Sequence, residues 1–300
     1  MSKRVLLAVN SRARRGRGAR DRIVAALTAR GHQLIEVAIE GGPPALSAAI
    51  VARRDDVEAV IVCGGDGTLN TAIAGLIATK LPLVAVPLGT FNELARTLGV
   101  PADPVAAAGL LDDGRPLPVD VGCVNGAYYF NEASVGLSTR VAQLQTGKLK
   151  RQFGKLAIPL ATLRALRWIH PMHLEITVDD GPPRVVRTVQ LTVANSYRFG
   201  GVVENPEASL DDGKLWLYSI DVRGWWNALA VLGAVAVRRF TQAPNVVALR
   251  GRRFAVRSRH GTAHRVSADS EVVARLPAEF SIVHDAVTVL VPPTRVGAIR

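Results

Sequence analysis

Three short stretches of this chain bring together residue types that can do chemistry. The first is Gly64-Gly65-Asp66-Gly67-Thr68, inside AVIVCGGDGTLNTAIAGL, residues 59–76. The apolar, β-branched run Ala59–Cys63 ends there, and Leu69, Ala72, Ile73 and Leu76 then fall on one helical stripe. The turn therefore joins a buried parallel strand to a helix. Glycines in such a turn are expected to take positive φ and to let a ligand approach the main chain. Amides at a helix start attract phosphate. Asp66 would repel a bare phosphate, so it is expected to work through a metal ion or a ligand hydroxyl.

The second stretch is AVPLGTFNELARTLGVP, residues 85–101. It repeats the design: an apolar strand, Gly89-Thr90, then a helix. Asn92 and Glu93 sit at the helix start, where an amide and a carboxylate can cap it or help organise a hydrated metal. Two such turns after neighbouring strands are expected to line one cleft. The third is HRVSADSEVVARLPAEF, residues 264–280. Asp269 and Glu271 are two apart, so on a strand both side chains face one way. Paired carboxylates can activate a hydroxyl, although this spacing also suits a surface turn before a strand.

Elements that alternate between strand and helix surround the first two stretches. Strands are expected at Val5–Val9, Gln33–Ile39, Ala59–Cys63, Leu83–Pro87 and Pro118–Val121. Helices are expected at Asp21–Arg30, Leu46–Arg54, Leu69–Thr79, Leu94–Leu98 and Pro104–Leu111. This alternation predicts a doubly wound α/β domain with a parallel sheet over residues 1–124, whose ligand sits beyond the C-terminal strand ends. Beyond it, strand-like runs separated by turn signals predict a mainly β, sandwich-like domain over 125–293. These runs are Ala127–Phe130, His173–Val178, Val185–Asn195, Leu215–Ile220, Phe254–Ser258, Glu271–Ala274, Ala278–Val283 and Ala286–Val291. Helical patches interrupt them at Leu149–Ile169 and Trp225–Phe240. A tail at 294–300 is expected to return to the first domain.

The 300 residues are 48% hydrophobic and 21% charged, an ordinary globular composition. Cys63 and Cys123 form no disulfide framework and read as buried thiols of a reducing compartment. Val5–Val9 is too short for a signal-peptide core, and Trp225–Val237 is too short to span a bilayer. A cytoplasmic protein is expected, peripheral on the inner face of the membrane. The net charge of +12 is uneven: residues 1–124 hold 14 Lys/Arg against 12 Asp/Glu, and residues 125–300 hold 23 against 13. The basic excess can attract anionic headgroups. Lys148, Lys150, Arg151 and Lys155 form one candidate patch, and Arg250–Arg259 another. Aromatic residues are 5% and not interleaved with the basic ones, which speaks against nucleic acid as a partner. The G-x-x-x-x-G-K-[ST] and G-x-G-x-x-G phosphate motifs are absent.

Together GGDGTLN, PLGTFNELARTLGVP, VDVGCVNGAYYFNEASVGL, NPEASLDDGKLWLYSI and ADSEVV resemble, in order and spacing, the diacylglycerol kinase catalytic-domain family in its bacterial soluble branch. The resemblance covers nearly the whole chain. It implies an active site between an α/β nucleotide domain and a β-rich domain, with ATP and Mg²⁺ as cofactors. It implies nucleotide contacts at Asn10, Ser11, Gly64, Gly65, Asp66, Gly67, Thr68, Asn70, Gly89, Thr90, Asn92 and Glu93. It implies catalytic carboxylates at Asp66, Asp120, Asp269 and Glu271, with Glu271 as proton acceptor. Ser209, Asp212 and Lys214 match a structural Mg²⁺ loop whose first and last ligands are backbone carbonyls. The implied activity is phosphorylation of a lipid hydroxyl, as on diacylglycerol, at a membrane surface; a homodimer is compatible. A sphingoid base, phosphatidylglycerol or a soluble polyol is an alternative acceptor, and a catalytically weak nucleotide- or lipid-binding regulator an alternative role. The chain departs from the family in its opening loop NSRARRG, in Glu93 for an aspartate, and in Ser270 for the glycine of D-G-E.

Overall fold

The computed structural model describes residues 2–10, 16–39, 43–137, 170–200, 203–223, 231, 233–234, 239–269 and 271–293. The chain divides into two compact units. One comprises Met1–Val121, Ser209–Gly213 and Val283–Arg300; the other comprises Gly122–Ala208 and Lys214–Ile282. The return to the first unit thus comes at Val283, before the 294–300 tail, which lies outside the described residues.

The first unit opens with β1 (Arg4–Val9), α1 (Gly16–Ala29), β2 (Gln33–Ala38), α2 (Pro43–Ala52) and β3 (Ala59–Gly64). It continues with α3 (Asp66–Asn70), α4 (Ile73–Thr79), β4 (Leu83–Pro87), α5 (Glu93–Leu98), α6 (Pro104–Ala108), α7 (Leu110–Asp113) and β5 (Arg115–Val124). The strands β2-β1-β3-β4 pair in parallel in that order. Every residue of β3 and β4 is buried, as a sheet covered on both faces requires. Strand order steps outward from β1 to β2 and then back across to β3. Right-handed crossovers therefore put α1 and α2 on opposite faces, and α1 packs with α6 while α2 packs with α4.

The single helix expected over Leu69–Thr79 is two, α3 and α4. The break is at Thr71, whose hydroxyl donates to the Thr68 carbonyl at 2.7 Å. The Thr71 carbonyl accepts from Ser47 Oγ at 2.7 Å, and Ser47 Oγ accepts from Gly75 N at 3.0 Å. Side-chain partners here replace the helix ladder. The four stripe residues Leu69, Ala72, Ile73 and Leu76 are nonetheless all buried.

The second unit carries β6 (Ala127–Tyr129), β7 (Glu132–Gly136), β8 (Met172–Val178), β9 (Arg184–Thr188), β10 (Gln190–Ala194), β11 (Arg198–Phe199) and β12 (Val203–Glu204). It then carries β13 (Leu215–Ile220), β14 (Val246–Gly251), β15 (Arg253–Ser258), β16 (Arg265–Ala268), β17 (Glu271–Arg275) and the first part of β18 (Ala278–Val291). One antiparallel sheet runs β14-β13-β10-β7-β16-β17, and another runs β18-β15-β8-β9. Between them lies one core. Val135, Val193, Leu217 and Val266 come from the first sheet, and Leu174, Ile176, Phe254, Val256 and Phe280 from the second. This is the sandwich packing that alternating inward side chains produce.

The run Val185–Asn195 is not one strand. β9 pairs with β8, whereas β10 pairs with β7 and β13, so the chain changes sheets at Val189. Val189 N donates to the Ile220 carbonyl at 2.8 Å there. Conversely, the two runs around His284-Asp285 form one strand, β18. Strands β7, β11, β12, β14 and β16 were not expected. β7 reads EASVG, too poor in β-branched residues to show itself, and owes its state to its central place in the sheet. The expected helix at 149–169, the basic patch at 148–155 and most of Trp225–Phe240 lie outside the described residues. Among the described residues no helix is long and apolar enough to cross a membrane.

Candidate active site

The two glycine turns lie side by side at the C-terminal ends of β3 and β4. Gly64 and Pro87 are register partners, and Leu88 N donates to the Gly64 carbonyl at 2.8 Å. None of Gly64, Gly65, Gly67 or Gly89 takes positive φ, which corrects the expected reason for glycine. A Cβ on Gly89 would lie 2.6 Å from Gly65 Cα, and one on Gly64 would lie 2.4 Å from Thr68 Cβ. At Gly65 and Gly89 the two turns press backbone against backbone, and at Gly64 the Thr68 side chain fills the space a Cβ would take. The residue in this region that does take positive φ is Asn92, at φ 50°. Its Oδ1 accepts from Gly89 N at 2.8 Å and its Nδ2 donates to Gly89 O at 3.0 Å, which closes the 89–92 turn.

Asp66 caps the neighbouring helix. Its Oδ1 accepts from Leu94 N, in the first turn of α5, at 3.2 Å. That contact binds the two turns into one rigid floor. Asn10, at the end of β1, joins them: its Nδ2 donates to Thr68 Oγ1 at 2.9 Å and its N donates to the Cys63 carbonyl at 2.9 Å. Asn10, Gly64, Gly65, Asp66, Gly67 and Thr68 are thus assembled around one loop, and Asn70 ends α3. Gly89, Thr90, Asn92 and Glu93 stand on the adjoining turn, with Glu93 opening α5 and Thr90 exposed. Ser11 lies outside the described residues.

Asp120 is wholly buried. Its Oδ2 accepts from Gly213 N at 2.7 Å; its Oδ1 accepts from Asp285 N at 2.9 Å and lies 2.7 Å from His284 Nδ1. Its own N donates to the Leu210 carbonyl at 2.6 Å. Asp120 therefore pins the Ser209–Gly213 loop and the His284-Asp285 kink to β5. The loop holds Ser209, whose hydroxyl donates to Asp211, and Asp212; Lys214 is the first residue after it. Asp120, His284 and Asp285 offer ligand atoms within 4.8 Å of one another. Neither His284 nor Asp285 was foreseen. The available signal was a polar pair splitting two apolar strand-like runs.

In the second unit, Asp269 and Glu271 do not share a strand. β16 ends at Ala268 and β17 starts at Glu271, and these two residues are register partners. Asp269 sits in the turn at φ 42°, so the expected common facing of the two carboxylates does not arise. Asp269 Oδ2 accepts from Phe130 N at 3.1 Å and Asn131 N at 3.2 Å, and Oδ1 accepts from Glu132 N at 3.0 Å. From the other side Asn195 Nδ2 donates to the Phe130 carbonyl at 2.9 Å. The FNE segment before β7 is thus held by its amides and a carbonyl together. Glu271 is exposed at the start of β17.

The α/β unit followed by a mainly β sandwich is a fold shared with other solved structures. An NAD kinase from Archaeoglobus fulgidus in complex with ATP shares it with a TM-score of 0.57 at 13% identity, over 97% of this chain and 95% of that one. A diacylglycerol kinase structure from Bacillus anthracis str. Sterne superposes with a TM-score of 0.78 at 24% identity, over 97% of this chain and 98% of that one. Residues 4–124 match the diacylglycerol kinase catalytic domain, and residues 131–291 match the YegS C-terminal NAD kinase beta sandwich-like domain. The chain belongs to the diacylglycerol kinase catalytic-domain family. A protein of Bacillus subtilis (strain 168) named diacylglycerol kinase is 34% identical over 174 residues, which are 56% of this chain and 57% of that protein. One from Staphylococcus epidermidis with the same name is 26% identical over 243 residues, 80% of this chain and 76% of that protein.

Proposed function

We propose that this chain is an ATP- and Mg²⁺-dependent kinase that phosphorylates a hydroxyl of a lipid such as diacylglycerol. The observation that carries the reading is the floor built from the Gly65 and Gly89 turns, locked by Asp66 on Leu94 N, in a chain whose relatives bear the diacylglycerol kinase name. Phosphoryl transfer asks mainly for positioning and charge neutralisation, and this floor is rigid. Asn10 and Thr68 hold its shape. Asp66 and Glu93 supply carboxylate oxygens of the kind Mg²⁺ prefers. The metal, when bound, neutralises phosphate charge. Asp120 acts as a positioning residue, since both its oxygens hold other parts of the unit.

Glu271 is the proton acceptor in this reading. The acceptor hydroxyl oxygen bonds to the γ-phosphorus, the bond from that phosphorus to ADP breaks, and the hydroxyl proton passes to the Glu271 carboxylate. Asp269 is unsuited to that step, because protonating either oxygen would give up amide hydrogen bonds it now holds.

The test is transfer of labelled γ-phosphate from ATP to a panel of hydroxyl lipids in mixed micelles with Mg²⁺. Product made by the wild type, and lost in both Asp66→Ala and Glu271→Ala, supports the reading and names the acceptor. ATP binding without product on any lipid would remove the lipid and leave a nucleotide-binding regulator or a soluble acceptor.

A further inference from the structure

We propose that the β16–β17 edge hairpin is the surface by which this chain docks on an anionic lipid bilayer. The proposal rests on the lipid-kinase reading above, which requires the acceptor to be met at a membrane.

β17 is the outermost strand of its sheet. Its register against β16 is Arg265↔Arg275, Val266↔Ala274, Ser267↔Val272 and Ala268↔Glu271, with a shift between Val266 and Ser267. Val273 is therefore the extra residue of a β-bulge. Directly opposed residues share a face, so Arg265, Arg275 and Val272 lie together, and Val273 joins them because it alternates with Ala274. Two consecutive valines on one face are impossible in a regular strand; the bulge makes them so. Val272 is 49% exposed and Val273 39%, and both arginines are exposed.

Like charges directly opposed across two strands repel. Arg265 and Arg275 face each other in that way, and a shared anion would remove the penalty. Two arginines beside two exposed valines have the composition of an interfacial element. The guanidinium groups suit lipid phosphates, and the valines suit the boundary with the acyl chains. The charge agrees in sign: residues 125–300 carry 23 Lys/Arg against 13 Asp/Glu. The same hairpin carries the candidate proton acceptor. Glu271 precedes Val272 directly and, opposite Ala268, takes the other face. The bulge that brings the valines out is thus also what turns the candidate proton acceptor away from them. A bulge and charges can also guard an edge against strand pairing, but that purpose does not call for exposed β-branched residues.

The test uses the full chain and vesicles of phosphatidylcholine with and without phosphatidylglycerol. Wild type, the Val272→Ser/Val273→Ser pair and the Arg265→Gln/Arg275→Gln pair are compared by co-sedimentation. Turnover of a dispersed short-chain diacylglycerol, thermal unfolding and sedimentation velocity are read on the same samples. The wild type is expected to bind only the anionic vesicles. Loss of the arginines should weaken binding about fivefold for each, and loss of the valines about tenfold. Turnover on the dispersed acceptor and unfolding should stay near wild type. Equal vesicle binding by both variants would overturn the docking surface, while wild-type turnover on the dispersed acceptor would leave the lipid-kinase reading standing. No wild-type turnover on any lipid would remove that reading and the proposal with it. Loss of a dimer in the valine variant, with vesicle binding unchanged, would make a second copy the occupant and overturn the proposal.

Discussion

Replacing Asp269 with asparagine separates holding a structure from doing chemistry. The carboxylate takes two amides on one oxygen, from Phe130 and Asn131, and one on the other, from Glu132. Asparagine keeps a single acceptor oxygen and turns an NH₂ group toward the remaining amides. One or two hydrogen bonds to a charged acceptor are lost, each worth about 1.5–3 kcal/mol. A cost of about 3 kcal/mol follows. The backbone contributes little of it, because asparagine tolerates the φ of 42° found at this position.

The assay is urea unfolding followed by intrinsic fluorescence. All four tryptophans, Trp168, Trp216, Trp225 and Trp226, fall in the residue range of the second unit, so the signal follows that unit. With an m-value of about 2 kcal/mol/M, the midpoint should drop by about 1.5 M. Glu271→Gln is the matched control. Its side chain is exposed, so its stability should stay within about 0.5 kcal/mol of wild type, while turnover should fall by about a thousandfold. An Asp269→Asn protein with an unmoved midpoint and a comparable loss of turnover would refute the reasoning, and would place Asp269 on the substrate.

Gly89→Ala puts a Cβ 2.6 Å from Gly65 Cα and 2.7 Å from Asn92 Oδ1, whereas Gly65→Ala meets Gly89 Cα at 3.2 Å. Equilibrium ATP binding should therefore weaken by about tenfold or more for the first and by less for the second. Asp112 sits where burial raises its pKa, but hydrogen bonds from His32 and Arg30 outweigh this and hold it below its usual 3.8. The stability it contributes is present above pH 3.8 and is lost as pH falls through its lower folded value, so Asp112→Asn should flatten the acid end of a stability–pH curve. Burial pushes the Cys63 thiol up to about 12. Burial also raises half-buried Cys123, there opposed by hydrogen bonds from Gly126 and Ser281. A thiol reagent at pH 8 should thus modify Cys123 first and reach Cys63 only on unfolding.

Where a short window decides the structure, the sequence was a sound guide. Ala59–Cys63 and Leu83–Pro87 are continuous apolar runs, and both became central parallel strands, because only a sheet covered on both faces buries such runs whole. The sandwich core was legible in Leu215–Ile220 for the same reason, and in Phe254–Ser258 through the alternation of buried and exposed residues. The limit appears where partners are remote. Asp120 meets Gly213 N across 93 positions and His284 across 164, and no local pattern encodes either contact. The Asp269 turn failed differently. A DSE triplet reads as strand alternation, and the turn that breaks it is stabilised by amides of Phe130 to Glu132, which the triplet does not contain.

The acidic residues that a motif marks as functional divide according to what their oxygens already hold. Asp120 and Asp269 accept backbone amides on both oxygens, and each fixes a segment far away in sequence. Asp66 gives one oxygen to the first turn of α5, which ties its own turn to the neighbouring one. Glu271 stands exposed at an edge. Chemistry on a hydroxyl needs a carboxylate that can gain a proton without dismantling its surroundings, and Glu271 meets that condition where Asp269 does not. Substitution should therefore grade the set. Loss of Asp120 or Asp269 should appear first in folding, loss of Asp66 in nucleotide binding, and loss of Glu271 in turnover alone.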